Sequence, residues 1–190
     1  MEGGGGMRKL IAAINMTVDG FCDHTAAVPA KGLHQHYNDL LRHADTLIYG
    51  RTTYQLMERY WPLIVKKPTG HEVQDEFAVL IDDIPKIVYS RTLKNVEWKN
   101  STLKNKIIKN EILELKRQKG KNMVVGSPSL IVALMQSGLV DELQIGIHSV
   151  ILGGGLPLFK NVSDRIDLKL LKTETFGDGA VVLYYEPRKK

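Results

Sequence analysis

Apolar runs and amphipathic stretches take turns along most of this chain, and that alternation limits the fold more than any single motif. "RKLIAAIN" (8–15) reads as a buried strand, and "LHQHYNDLLRHA" (33–44) carries Leu33, Tyr37, Leu40, Leu41 and Ala44 on one helical stripe. "DTLIYG" (45–50) is a short strand ending at a glycine, and "RTTYQLMERYW" (51–61) continues as a helix. Pro62, Pro68 and Gly70 predict a loop over 62–72, with a helix from Val73 to Leu80. "PKIVYS" (85–90) is a strand and "NVEWK" (95–99) a further candidate. A lysine-rich helix then leads to the strand "NMVVG" (122–126) and the helix "SLIVALMQSG" (129–138), closed by Gly138 at its C-terminal cap. Beyond it, "DELQIGIHSVIL", "RIDLKLLKTET" and "GAVVLYYEP" are three strand candidates separated only by loops, the last two joined by a turn at Gly177-Asp178-Gly179. Strands alternating with helices call for a parallel sheet with helices on its faces. A strand-rich tail calls for an antiparallel addition at one edge.

With 190 residues, 43% of them hydrophobic, the chain has material for one sizeable core, so a single domain over 7–190 is expected. Residues 1–6, "MEGGGG", read as a flexible leader. The net charge of +5 is concentrated in 99–121, where eight lysines and arginines face only Glu111 and Glu114. Such a run fits nucleic acid in principle, but Ile108, Ile112 and Leu115 at helical spacing make it a solvated face over a buried stripe. No aromatic residues interleave with these lysines to stack on bases. The lone cysteine, Cys22, excludes an internal disulfide and suits a reducing cytoplasm. No apolar stretch has the length to span a membrane.

Three strand ends carry residues suited to an anionic ligand, since ligands of open parallel sheets gather there. At "LIYGRTTY", Gly50 ends a strand, Thr52 or Thr53 caps the next helix, and the free N–H groups of the first turn face outward with Arg51 beside them. An ordinary threonine cap with a surface arginine explains the same letters. At "IVYSRT", Ser90 and Arg91 suit a ribose phosphate, or a solvated loop. At "VVGSPSL", Gly126 precedes Ser127 as N-cap and Pro128 as first helical residue, leaving Ser129 and Leu130 as donors; read alone this is a cap. Other chemistries lack their motifs. "GGGLPLF" (153–159) has neither the third glycine nor the helix of a dinucleotide turn, and "HEVQD" lacks a second histidine. His34 and His36, two apart, point to different helix faces, so no metal site is expected.

Taken in order, "TVDGF" (17–21), "ADTLIYGRTTYQLM" (44–57), "KIVYSRT" (86–92), "MVVGSPSLIVALMQSGLVDEL" (123–143), "VILGGGLPLF" (150–159) and "VVLYYE" (181–186) resemble the dihydrofolate-reductase-like superfamily. Within it, the chain is most similar to the branch holding the reductase domain of the riboflavin-biosynthesis deaminase–reductase. The resemblance implies an α/β three-layer fold: a mostly parallel sheet of about eight strands with flanking helices and an antiparallel C-terminal hairpin. It implies a homodimer and NADPH bound across the strand ends. Gly50, Arg51, Thr52 and Thr53 would meet the phosphates, Ser90 and Arg91 the 2′-phosphate, and Gly126, Ser127 and Leu130 would form the opposite wall. The loop from Asn15 through Asp19 to Phe21 would border nicotinamide and substrate. Asp19, His34 and His36 are candidate proton donors by location.

The first helix departs from the family pattern: dihydrofolate reductases place a carboxylate there, where this chain has His34, Gln35 and His36, with Asp39 more than a turn further on. Dihydrofolate is therefore a poor match for the expected substrate. The expected activity is an NADPH-dependent oxidoreductase acting on a small heterocycle or carbonyl compound, with 5-amino-6-(5-phosphoribosylamino)uracil reductase as nearest analogy. A non-catalytic nucleotide- or pterin-binding protein on the same scaffold is the alternative, and nucleic-acid binding through 99–121 ranks last.

Overall fold

The computed structural model describes residues 7–22, 32–177 and 179–188. The leader and Asp178 of the expected turn lie outside the described residues. Strand β1 (Leu10–Thr17) leads to helix α1 (Leu33–Arg42), strand β2 (Ala44–Gly50) and helix α2 (Arg51–Lys66). Helix α3 (Glu72–Asp83), strand β3 (Lys86–Tyr89), strand β4 (Ser101–Lys104) and helix α4 (Lys109–Arg117) follow. The remainder is β5 (Asn122–Val125), α5 (Pro128–Gln136), β6 (Glu142–His148), β7 (Leu168–Phe176) and β8 (Ala180–Pro187).

All eight strands join one sheet in the order β4-β3-β2-β5-β1-β6-β8-β7. The first six run parallel, and β8 pairs antiparallel with both β6 and β7. Side chains of β1 divide by parity, as a pleated strand requires. Leu10, Ala12 and Ile14 pack with Ile112 of α4 and Ile131 and Leu134 of α5. Ile11 and Ala13 face the opposite cluster, with Leu41 of α1, Tyr54 of α2 and Ile81 of α3. Helix α5 ends in a Schellman arrangement: Gly138, at φ +66°, donates to Met135 O, and Leu139 donates to Leu134 O.

Two expectations about the middle of the chain are corrected. Helix α2 runs through Pro62 to Lys66 rather than breaking into a loop. Proline removes one backbone bond there, but Trp61, Ile64 and Val65 stay half-buried along the same stripe, and Trp61 packs on Phe77 with ring centroids 4.6 Å apart. "NVEWK" is not a strand; β4 lies just beyond it. Side chains, not a ladder, satisfy its backbone: Trp98 N–H donates to Tyr54 Oη and Glu58 Oε1, and its indole N–H to Asp82 Oδ1 at 2.6 Å. Asn100, at φ +58°, then turns the chain into β4.

The lysine-rich segment likewise splits into a strand and a short helix. Four of its eight basic side chains take partners, and most of the others are exposed. Lys99 pairs with Asp82, Lys104 with Glu111 and Lys116 with Asp141, each at 2.6 Å, and Lys121 Nζ donates to Arg42 O.

Candidate functional site

The sheet order places the three anion-suited turns side by side. Strands β3, β2 and β5 are consecutive and parallel, so Ser90-Arg91, Gly50-Arg51 and Gly126-Ser127 follow one another along the carboxyl edge. The loop after β1 comes next, then the 150–158 segment after β6. From β3 to β1 is three strand spacings, roughly 14 Å.

Gly50, not Thr52 or Thr53, is the N-cap of α2. The chain leaves β2 directly into the helix, which carries the threonines inside the first turn. Gly50 has no side chain to cap with, so the first-turn N–H groups lack a side-chain partner. Arg51 and Thr52 are exposed beside them.

Ser127 also departs from its sequence reading. It occupies the N-cap position of α5 but makes no side-chain cap. Its buried hydroxyl instead accepts the Gly50 N–H at 2.8 Å, coupling the ends of β2 and β5. A Cβ on Gly50 would lie 3.6 Å from both Ser127 Cβ and Leu130 Cγ, so Leu130 stands against the same turn. Gly126 backs onto β1, where a Cβ would sit 3.6 Å from Ala13 O.

The Ser90 hydroxyl accepts N–H bonds from Thr92 (3.1 Å) and Leu93 (3.0 Å), a local turn that fixes where Arg91 departs. Arg91 is exposed. Among the described residues neither Arg51 nor Arg91 forms an ion pair, so both guanidinium groups are open to an anion.

Asp19 is committed to structure. Its carboxylate accepts the Thr17 hydroxyl at 2.6 Å, Leu152 N–H at 3.1 Å and Gly153 N–H at 2.7 Å. The Thr17 bond, with the two backbone donors behind it, holds the carboxyl below its usual range. A carboxylate kept ionised has no proton to donate, which counts against it as the acid. The same two loops are stitched further by Val18 N–H to Val150 O, Cys22 N–H to Leu156 O and Leu158 N–H to Gly20 O. Phe21 bridges Pro157.

The two histidines separate as their spacing requires. His34 packs edge-on against Trp61 and Phe77, between helices. His36 faces the sheet, with Nδ1 3.1 Å from Tyr184 Oη. Tyr184 donates its one proton to Glu174 at 2.8 Å, so His36 Nδ1–H is the donor in the other bond. Burial pushes both imidazoles below the ordinary histidine range.

Asn15 turns out to be held in place by a residue read from sequence only as core. Tyr37 donates its hydroxyl to Asn15 Oδ1 at 2.5 Å. Both fill the space left by Gly146 on neighbouring β6: a Cβ there would collide with Asn15 Oδ1 and lie 2.8 Å from Tyr37 Oη. The lone mid-strand glycine of "LQIGIH" was the available signal, because such a glycine marks a close approach.

A cavity of about 770 Å³ lies at the other end of the sheet, beside the starts of β1 and β6. Part of its lining charge is paired within it, Lys9 with Glu142, Lys116 with Asp141 and Arg165 with Asp167, and it lies away from the strand-end turns. Among the described residues no three His, Cys, Asp or Glu side chains group as metal ligands, and no helix is long and apolar enough to cross a membrane.

Comparison with known proteins fits this geometry. A protein of Bacillus subtilis (strain 168), YyaP, is 33% identical over 186 residues, covering 94% of each chain. A Shewanella sp. PV-4 protein assigned to riboflavin biosynthesis superposes with a TM-score of 0.71 at 21% identity, covering 95% of this chain and 99% of its own. Dihydrofolate reductase from Enterococcus faecalis, solved with NADP(H), gives a TM-score of 0.62 at 14% identity over 97% of this chain and 99% of its own. The fold is therefore dihydrofolate-reductase-like. Residues 8–182 match the model of the RibD C-terminal domain, and with the sheet order and strand-end turns in agreement, the chain belongs to that family.

Proposed function

We propose that the protein is an NADPH-dependent reductase acting on a small heterocyclic or carbonyl compound. The observation that carries this reading is the uncapped N-terminus of α2, with Arg51 beside it, set between Ser90-Arg91 on one neighbouring strand end and Ser127-Leu130 on the other. A row of backbone donors flanked by two open guanidinium groups fits a pyrophosphate and a 2′-phosphate. The residues present thus suit the cofactor, with the first-turn N–H groups and Arg51 on the pyrophosphate and Ser90 and Arg91 on the 2′-phosphate.

Bound there, NADPH supplies hydride from its nicotinamide C4. The chain's own task is alignment and exclusion of water. Asn15, locked by Tyr37, and the Asp19-tied loops shape the neighbourhood of the reacting carbon. Asp19 is held ionised and His36 holds its Nδ1 proton in a bond to Tyr184, which counts against both as the proton donor. The first helix has His34, Gln35 and His36 where dihydrofolate reductases place a carboxylate, which equally suits a non-catalytic binder, so binding and turnover are separate questions.

Titration of the full chain with NADPH and NADH, followed by nicotinamide fluorescence, tests the reading. The expected result is binding with a clear preference for NADPH. Absence of binding at millimolar cofactor would remove it. Two further features belong to the same reading. A homodimer is supported by the exposed Leu170 and Leu171 on edge strand β7, and sedimentation velocity checks it. A cytoplasmic location is supported by the single free cysteine.

A further inference from the structure

We propose that Asn15 reads the acceptor: its side-chain amide, held in one orientation by Tyr37, donates an N–H to a carbonyl oxygen of the substrate ring and selects such rings over amino-substituted ones. This rests on the reading of the site as a nicotinamide-dependent reductase. The inference comes from a notch in the carboxyl edge of the sheet and from the side-chain hydrogen bond that Asn15 makes beside it.

Strand β5 stops short of its neighbours. Its last residue, Val125, pairs with Ala12 of β1 and Ile48 of β2, whereas β1 runs on beside β6 as far as Thr17 and β2 runs on to Gly50. From Ala13 to Thr17, β1 therefore has a strand partner only on its β6 side. The chain leaving β5 enters α5, whose Ile131 and Leu134 pack with Leu10, Ala12 and Ile14 on one face of the sheet. Asn15 follows Ile11 and Ala13 onto the other face, the side of α1. The turns at Ser90-Arg91 and Gly50-Arg51 lie across the notch from it, with β2 two strand spacings from β1, roughly 10 Å. A cofactor whose phosphates those turns hold has its reacting end at this notch.

Tyr37 fixes which way the amide faces. Burial pushes its hydroxyl above the ordinary tyrosine range, so it keeps its proton, and among the described residues its acceptor is Asn15 Oδ1 at 2.5 Å. A tyrosine donates one hydrogen, and the opposite amide orientation would leave that hydrogen without an acceptor. Gly146 supplies the room, since any Cβ there would collide with Asn15 Oδ1 and crowd Tyr37 Oη. With Oδ1 committed, Nδ2 is the free arm of the amide. It has no acceptor among the described residues, and Asn15 is half-buried rather than sealed from solvent. The polar groups next along the chain are spent: Thr17 donates to Asp19, which accepts from Leu152 and Gly153. What Asn15 offers is an uncharged donor of fixed direction. A ring carbonyl satisfies it, whereas an amino group sets N–H against N–H and leaves both unpaired. Such a donor selects by the ring and leaves any charged substituent of the substrate unconstrained.

Quinazolin-4(3H)-one and 4-aminoquinazoline share one fused ring and invert its hydrogen-bonding pattern, with C=O beside N–H in the first and NH2 beside a bare ring nitrogen in the second. Their binding to the full chain saturated with NADP⁺ is measured by ligand-observed NMR at mildly alkaline pH, where both are uncharged. The quinazolinone is expected to bind about tenfold more tightly, the scale of one mismatched hydrogen bond. Asn15→Asp keeps an oxygen for Tyr37 and presents an acceptor in place of the donor, so the preference should reverse. Tyr37→Phe frees the amide to turn and should bring the ratio close to unity. Equal affinities or a preference for the amine in the unmodified protein overturns the inference, as does a ratio that neither substitution moves. Loss of NADPH affinity in Asn15→Asp with the preference intact would put the amide on the cofactor, and the inference falls. NADPH titration of the unmodified protein, without acceptor, keeps the two ideas apart. Intact NADPH binding with neither ring bound removes only the role given to Asn15, and failure to bind NADPH removes the underlying reading.

Discussion

The Gly50 N–H donates to the Ser127 hydroxyl at 2.8 Å across 77 residues of sequence, so a serine positioned to cap its own helix instead anchors the start of another. It fixes the separation of two walls of the proposed cleft and withdraws one donor, the Gly50 N–H, from any bound phosphate. Ser127→Ala should lower stability by about 1–2 kcal/mol, the scale of a lost hydrogen bond leaving a partly buried donor unpaired. Urea denaturation measures it. An unchanged midpoint would mean that water replaces the hydroxyl.

The two open arginines should separate by cofactor. Arg51→Ala is expected to weaken NADPH and NADH alike by about 1–3 kcal/mol, the range of a charge-assisted contact. Arg91→Ala should weaken NADPH by a similar amount and leave NADH untouched. Fluorescence titration of both variants with both cofactors reads this out, and equal losses for Arg91→Ala would move that residue off the 2′-phosphate.

Asp19→Ala removes the acceptor shared by Leu152 and Gly153. Hydrogen exchange at those two amides should accelerate markedly while the global unfolding midpoint barely moves, since the bonds lie at the surface. Unaltered exchange would show that the backbone stitching of the loops suffices without the carboxylate.

Gly146→Ala is expected to destabilise by about 1–3 kcal/mol, because the new methyl must displace Asn15 and break its bond to Tyr37. Gly146→Ala combined with Asn15→Ala should recover part of that loss by emptying the contested space. Thermal unfolding of the three variants distinguishes collision from loss of glycine flexibility.

Lys86 supplies a pH dependence of known sign. Its buried ammonium donates to Asp82 O, Ile84 O and Lys99 O and lies 4.4 Å from the Trp98 ring. Burial pulls its pKa from the ordinary 10.5 to about 8, against the opposing pull of Asp82. Between those values the unfolded chain holds a proton that the folded chain releases, so this residue raises stability as pH climbs from 8 to 10.5. Lys86→Met should be less stable at pH 7, where three carbonyls lose their partner, and should lack that rise relative to the unmodified protein. Urea unfolding across pH 7–10.5 tests both; parallel curves would place the Lys86 titration elsewhere.

Much of this protein was legible in its sequence because local physics wrote it there. Strand β1 alternates between two cores, α5 closes on Gly138, and the apolar tail pairs as a hairpin; each follows from periodicity or from glycine's tolerance of positive φ. Gly50, Arg51, Ser90, Arg91 and Gly126 were visible as strand-end residues, but each fitted an ordinary cap or loop equally well. Only the sheet order β3-β2-β5-β1 set them in one row, and strand order is a product of long-range pairing that no window of residues contains. The same limit explains the misplaced details. Whether Ser127 bonds its own helix or Gly50, whether 95–99 joins a ladder or is pinned by Tyr54 and Asp82, and whether Tyr37 is core or a clamp on Asn15 all depend on which distant groups arrive. A hydroxyl or an N–H takes the partner that geometry brings within about 3 Å, and that choice belongs to the tertiary structure.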